Sequence, residues 1–434
     1  MKHIAYIFNI LAIITLASCK PTTKLTTTTG QMPGGSSILL KDSFLTNLFA
    51  RHPQFFDTLI RQKDRWQMQV IYTQIDRNSN GKSRLTTHTF NLQPNTYFYP
   101  ASTVKFPAAV LALQKLNELK LEGVDRNTSF ITEAAGFEHT AVANDPSTAD
   151  GRPTIAHYIK KILLVSDNDA FNRLYEFLGQ NYLNTTLHDM GYDSTQIIHR
   201  LQISLNEAQN RATNPFAFYD TAARLLYRQP LRQSPLPYQP RNTFLGKGYI
   251  SRGKLIEKPF DFSAKNRLTL TDLHGMLTAV IFPDAVPKKQ RFNLTADDYR
   301  FLHRYMSMKP GESRFPQYDS SYTDAYVKFL LFGGDGKITN PSLRIFNKVG
   351  DAYGFLTDAA YVVDFEKGVE FLLSATIYCN SDGIFNDDRY DYNTVGFPFL
   401  KHLGQVIYEY EVQRSRKNRP DLSPFRFDYT NETE

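Results

Sequence analysis

Ser102 and Lys105 stand three residues apart in the segment Tyr99-Pro100-Ala101-Ser102-Thr103-Val104-Lys105-Phe106-Pro107. On a helix, residues with that spacing share a face, so the Lys105 amine can reach the Ser102 hydroxyl. A helix start also directs its free N–H groups at the same spot. A nucleophile, a base for its proton and part of an oxyanion site thus come from one turn, and together they can form an acyl-enzyme. The tetrapeptide alone is common. Two further polar segments give it weight: Ser166-Asp167-Asn168, just after an apolar stretch, and Lys348-Val349-Gly350-Asp351, ahead of a strand pair.

The elements that must position these groups are of two kinds. Near the start, residues 66–75 alternate as a strand, residues 77–82 make a turn, and a second strand follows over 85–92, after a short helical stretch at 43–59. Near the end, residues 358–365 and 369–378 form another such pair. Between them the apolar spacing is helical: Val110, Leu113 and Leu116, then Ile155, Ile159, Ile162 and Leu163, then Phe171, Leu174, Phe177 and Leu178. The expectation is an α+β fold, with an antiparallel sheet built from both termini (38–99 and 343–412), flanking helices and a mainly helical inserted part over 100–342. Residues 229–264 and 283–342 read as loop-rich insertions, longer than connections within a compact domain require. Residues 413–434 read as a polar tail.

Ser-x-x-Lys, then Ser-Asp-Asn, then Lys-Thr-Gly or a relative, in that order, is the signature set of penicillin-binding proteins and class A β-lactamases. The chain resembles that superfamily over roughly residues 60–410, and Leu205-Asn206-Glu207-Ala208 with Arg211-Ala212-Thr213-Asn214-Pro215 is similar to the end of the class A active-site loop. The resemblance implies a β-lactamase/transpeptidase-like fold and a serine hydrolase needing no cofactor or metal. Its substrate would be an amide or ester, either a β-lactam or a peptidoglycan-type peptide. Ser102 becomes the nucleophile and Lys105 its base, kept partly neutral by burial and by Lys348. Ser166 would relay a proton to the departing nitrogen, and Asn168 would position Lys105 and substrate. Gly350 and the backbone of Asp351 would complete the oxyanion site with the Ser102 N–H.

Two departures limit the analogy. The class A loop carries a glutamate three residues before its Leu-Asn pair, and Gln202 occupies that position ahead of Leu205-Asn206. An amide is no general base, so hydrolysis of a β-lactam acyl-enzyme is expected to be slow. Val349 stands where the family has a hydroxyl that helps hold a carboxylate, and it cannot donate that hydrogen bond. The alternative function is a non-catalytic envelope lipoprotein that keeps the scaffold for binding.

The first residues read as targeting rather than fold. Lys2 and His3 precede an apolar run to Leu16, shorter than a membrane span, then Leu16-Ala17-Ser18-Cys19. Leu-Ala-Ser-Cys resembles a bacterial lipoprotein box, which implies a signal peptide over 1–18, a lipid on Cys19 and a place in the cell envelope. Residues 19–37 read as a flexible tether. The remaining cysteine, Cys379, reads as a small core residue on a strand, and no intrachain disulfide is expected. A net charge of +7 spread over 434 residues, without a Lys/Arg block, gives no support for nucleic-acid binding. The Gly-rich run 332–337 lacks phosphate-loop spacing, the carboxylates of 380–391 lack calcium-loop spacing, and His139, His157 and His199 form no zinc pair.

Overall fold

The computed structural model describes residues 28–31, 38–41, 43–135, 140–235, 241–334 and 336–430. The signal segment, Cys19 and most of the tether lie outside the described residues, as do His139 and Asp335 of the Gly-rich run.

Seven strands form the central sheet: β1 (Thr28–Gln31), β2 (Ile38–Lys41), β3 (Gln69–Arg77), β4 (Ser83–Phe90), β5 (Leu343–Ala352), β6 (Phe355–Asp364) and β7 (Val369–Tyr378). Their spatial order is β1-β2-β4-β3-β7-β6-β5, antiparallel except where β2 runs alongside β4. The two ends of the chain meet where Tyr72 of β3 lies opposite Leu373 of β7. This is the sheet expected from the alternating segments, with one extension: Thr28–Gln31, assigned above to the tether, pairs with Ile38–Lys41 as an edge hairpin.

Every residue of β6 is buried, so the sheet is covered on both faces. Strand periodicity sorts the coverage: Ile345, Val349, Ala360 and Val362 enter one apolar cluster, while Phe346, Tyr361 and Val363 enter the other. Helices α1 (Phe44–Ala50) and α2 (Pro53–Arg61) pack on the first face together with the C-terminal helix. The expected single helix over 43–59 is split, because Pro53 has no N–H to continue α1 and instead opens α2.

Against the other face lies the helical body. Helix α3 (Lys105–Leu119) is buried along its whole length as far as Leu116, which makes it the hub that α4 (Ile155–Val165) and α5 (Asn168–Leu178) pack around. Helix α6 (Leu270–Ile281) lies directly on β3, β6 and β7, α7 (Ala296–Ser307) packs on β5, and the C-terminal helix α8 (Phe397–Gln413) closes the first face.

The inserted part is less helical than its spacing suggested. Ser129–Thr132, Phe216–Tyr219 and Leu225–Gln229 form a separate three-stranded sheet. The 229–264 stretch holds short strands, among them a hairpin of Gly248–Ser251 with Lys254–Ile256 whose turn residues Arg252 and Gly253 have φ of +50° and +76°. Strands of two to five residues are too short to register as a period, so tertiary pairing decides them. Helix α7 and several short 3-10 turns occupy part of 283–342.

The polar-tail expectation for 413–434 is also corrected. Leu422, Phe425, Phe427 and Tyr429 are buried in the helical-side core, and the Phe425 ring lies 4.8 Å from that of Tyr361 and 5.5 Å from that of Phe346. Net polarity conceals four apolar residues that join this core. Phe425→Ala should destabilise the protein by about 3 kcal/mol in urea unfolding, the cost of an emptied aromatic core site; a loss below about 1 kcal/mol would mean the tail is only loosely held.

Candidate active site

Ser102 lies in a 3-10 turn, Ala101–Val104, that runs straight into α3 at Lys105. The Lys105 side chain is fully buried and its Nζ donates to Ser102 Oγ at 2.8 Å. The same Nζ donates to the Ser166 carbonyl oxygen and, at 3.3 Å, to Ser166 Oγ. Ser166 ends α4 in the left-handed region (φ +61°), a conformation that turns both its oxygens toward Lys105. Asp167 holds that corner by accepting from the Ala170 N–H at 2.7 Å, as the N-cap of α5.

From β5, Lys348 Nζ donates to Ser166 Oγ at 2.7 Å and to the Val349 carbonyl at 2.8 Å. A hydrogen-bonded chain therefore runs Ser102 Oγ, Lys105 Nζ, Ser166 Oγ, Lys348 Nζ. Burial lowers the Lys105 pKa to about 7, with Asp167 and Asp351 opposing. Burial, reinforced by the charge of Lys105, pushes Lys348 well below the ordinary lysine range. Among the described residues no carboxylate bonds either amine. Near neutral pH the site thus holds an amine able to accept the serine proton.

The edge strand β5 lies against the nucleophile turn. A Cβ on Gly350 would sit 2.7 Å from the Pro100 carbonyl oxygen and 2.9 Å from the backbone nitrogens of Ser102 and Thr103, so only glycine permits this approach. The register then orients the next residue. Tyr353 and Gly354, both at positive φ, make a two-residue turn closed by the Ala352–Phe355 pair, so hydrogen-bonded pairs fall at 352, 350 and 348. The backbone groups of Val349 and Asp351 point away from β6 toward the open edge, where Ser102 sits. Val349 itself is buried in the apolar cluster on the far face, which an isopropyl group suits better than a hydroxyl.

A cleft of about 440 Å³ opens over Ser102, lined by Asn168, Gln202, Asp351, Tyr353, Asp388 and Tyr390 among others. Asn168 Nδ2 donates to Gln202 Oε1 at 2.8 Å. This corrects the expectation that Asn168 would hold Lys105, whose partners are the two serines. Asn206 is not in the cleft: its side chain caps the short helix Glu207–Arg211 in a reciprocal box with Gln209. Glu207 is exposed beside Arg211, and the Lys247, Arg252 and Lys254 hairpin lies outside the cleft lining. His157 bonds Ser147, and His199 bonds the Arg200 carbonyl with its ring stacked near Tyr99; no metal-binding group of residues occurs among the described residues. Cys379 is buried and its thiol pKa is raised by burial, consistent with a core residue.

Several residues that build the site were not singled out from sequence. Asn172 brackets Leu201, donating to its carbonyl at 3.0 Å and accepting from its N–H at 2.9 Å. Glu176 accepts from Arg200 Nε and from the Asn214 N–H, both at 2.6 Å. These contacts fix the loop that presents Gln202. Asn168, Asn172 and Glu176 recur every four residues on α5, a polar stripe on one helix face that the sequence displays openly.

The family model for the beta-lactamase enzyme family matches residues 54–410, and the chain belongs to that family. No curated protein matches it. Solved structures similar to it include a beta lactamase from Xanthomonas campestris pv. campestris, at 14% identity over 83% of this chain and 97% of that one, with a TM-score of 0.45. A class A beta-lactamase from Clostridium kluyveri shares 14% identity over 82% of this chain and 98% of that one, with a TM-score of 0.46. PBP-A shares 16% identity over 84% and 96% of the respective chains, with a TM-score of 0.46.

Proposed function

We propose that the protein is a lipid-anchored serine hydrolase of the cell envelope that cleaves an amide or ester through an acyl-Ser102 intermediate. The single observation that carries this reading is the 2.8 Å contact between Ser102 Oγ and the buried Lys105 amine, whose pKa falls to about 7, so that its neutral form can accept from the Ser102 hydroxyl. Lys105 takes the Ser102 proton as Oγ bonds the substrate carbonyl carbon. The resulting oxyanion accepts from the N–H groups of Ser102 and Asp351. As the tetrahedral adduct collapses, Ser166 gives its proton to the departing nitrogen or oxygen, and the Lys105 ammonium returns one to Ser166 through the bond they share. A lipid on Cys19 would hold this domain at a membrane.

Release of the acyl group needs a base for water on the Gln202 side of the cleft, and an amide supplies none. The acyl-enzyme of a β-lactam is therefore long-lived in this reading.

Fluorophosphonate should label Ser102, with no label in Ser102→Ala. Because only the neutral amine accepts a proton, the labelling rate should rise with pH through about 7 and level off above it. Absence of labelling across that range would return the scaffold to a binding role. Gln202→Glu should raise turnover of an acyl-enzyme by roughly 10²-fold in a single-turnover assay; no gain would show that Gln202 does not face the hydrolytic water.

A further inference from the structure

The wall of the cleft has a charge pattern that bears on substrate choice. Among its described lining residues are two carboxylates, Asp351 and Asp388, and four tyrosines, Tyr99, Tyr353, Tyr390 and Tyr392, but no lysine, arginine or histidine. Asp351 stands at the end of β5 beside the expected oxyanion site. Asp388 comes from the loop after β7, where Asn386 and Asp388 both adopt left-handed backbone, with φ of +60° and +59°. Neither carboxylate has a hydrogen-bond or ion-pair partner among the described residues, whereas neighbouring Asp382, Asp387 and Asp391 each accept from a backbone N–H.

Among the described residues, no cation stands in the lining of this wall. Lys105 and Lys348 are sunk behind the nucleophile, where burial lowers the pKa of each; their charges act on Asp351, whose own pKa is raised by burial. Lys265 lies 5.8 Å from the centre of the Tyr353 ring but lines a different cavity, with Arg241 and His199. The family's hydroxyl for a substrate carboxylate is replaced by Val349, whose side chain faces the core. A ligand carboxylate placed here would meet two like charges and no donor cation. An ammonium or guanidinium would meet two carboxylates that have no hydrogen-bond partner among the described residues, and aromatic rings, a combination suited to cations.

We propose that the cleft selects amides or esters bearing a cationic group, a primary ammonium or a guanidinium, placed at the Asp351–Asp388 end near the scissile carbonyl. This rests on the acyl-Ser102 reading, and it makes carboxylated β-lactams poor acylating agents for this enzyme.

The test uses matched thioesters that differ only in a terminal ammonium, neutral or carboxylate group about three bonds from the carbonyl, one series on the acyl side and one on the thiol side. At low salt, kcat/KM should favour ammonium over carboxylate by at least about tenfold in one series, as two close charge pairs in water predict. The ratio should fall toward unity in about 1 M salt, and likewise in Asp388→Asn and in Asp351→Asn. A purely structural role for these residues would lower all three rates together and leave the ratio intact. Should Asp351→Asn fail to fold, the Asp388→Asn ratio and the salt series still decide. Fluorophosphonate labelling of Ser102 without any ammonium preference overturns this inference alone, whereas failure of that labelling removes the reading beneath it.

Discussion

Two lysine amines share one serine hydroxyl, and among the described residues neither amine bonds a carboxylate. Lys105 and Lys348 both bond Ser166 Oγ, and the charge of Lys105 makes Lys348 harder to protonate. Burial outweighs the opposing charges of Asp167 and Asp351 and disfavours the charged form of the amine, so this arrangement yields a base of lowered proton affinity next to Ser102. It also costs stability. Between about pH 7, where folded Lys105 titrates, and the ordinary lysine range, the unfolded chain binds more protons than the folded one. Stability contributed by this group therefore rises with pH across that window and is forfeited below it.

The rest of the fold keeps the amines together despite that cost. Lys348 enters from an edge strand whose neighbour, β6, is buried along its length, and Lys105 from the most enclosed helix of the body. The two layers meet at Gly350, where absence of a side chain lets β5 touch the Ser102 turn. Strain collects at the same place. Of the non-glycine residues at positive φ, Ala101, Gln202, Tyr353, Asn386 and Asp388 line the cleft and Ser166 lies behind it. Left-handed backbone at non-glycine positions persists only where surrounding packing over-determines it, and here the Glu176–Arg200–Asn214 cluster and the Asn172 bracket around Leu201 provide that packing for the Gln202 loop.

How much of this the sequence displays depends on the range of the interactions. Ser102 with Lys105 is a contact within one helical turn, and the long strands β3, β6 and β7 carry their alternation openly, so both are legible. Ser166 and Lys348 are legible through motif order, although the bond that joins them spans 182 positions. The spacing leaves the direction of Asn168 open and suggests Lys105 as its partner; the loop that brings Gln202 within 2.8 Å decides it. The far wall of the cleft was hidden for a similar reason: Asn386, Asp388 and Tyr390 belong to a short irregular loop that only the closed sheet brings opposite Ser102. The tail reads as polar because four apolar side chains among charged neighbours average out, while each finds its own place in the core.

The account turns on the protonation state of one amine. The most direct measurement is an NMR titration of protein carrying 13Cε-labelled lysine, with the Lys105 resonance assigned by its loss in Lys105→Arg. A midpoint near 7 is the predicted result. A midpoint at about 10.4, the value of a solvated lysine, would leave Ser102 without its base and contradict the account.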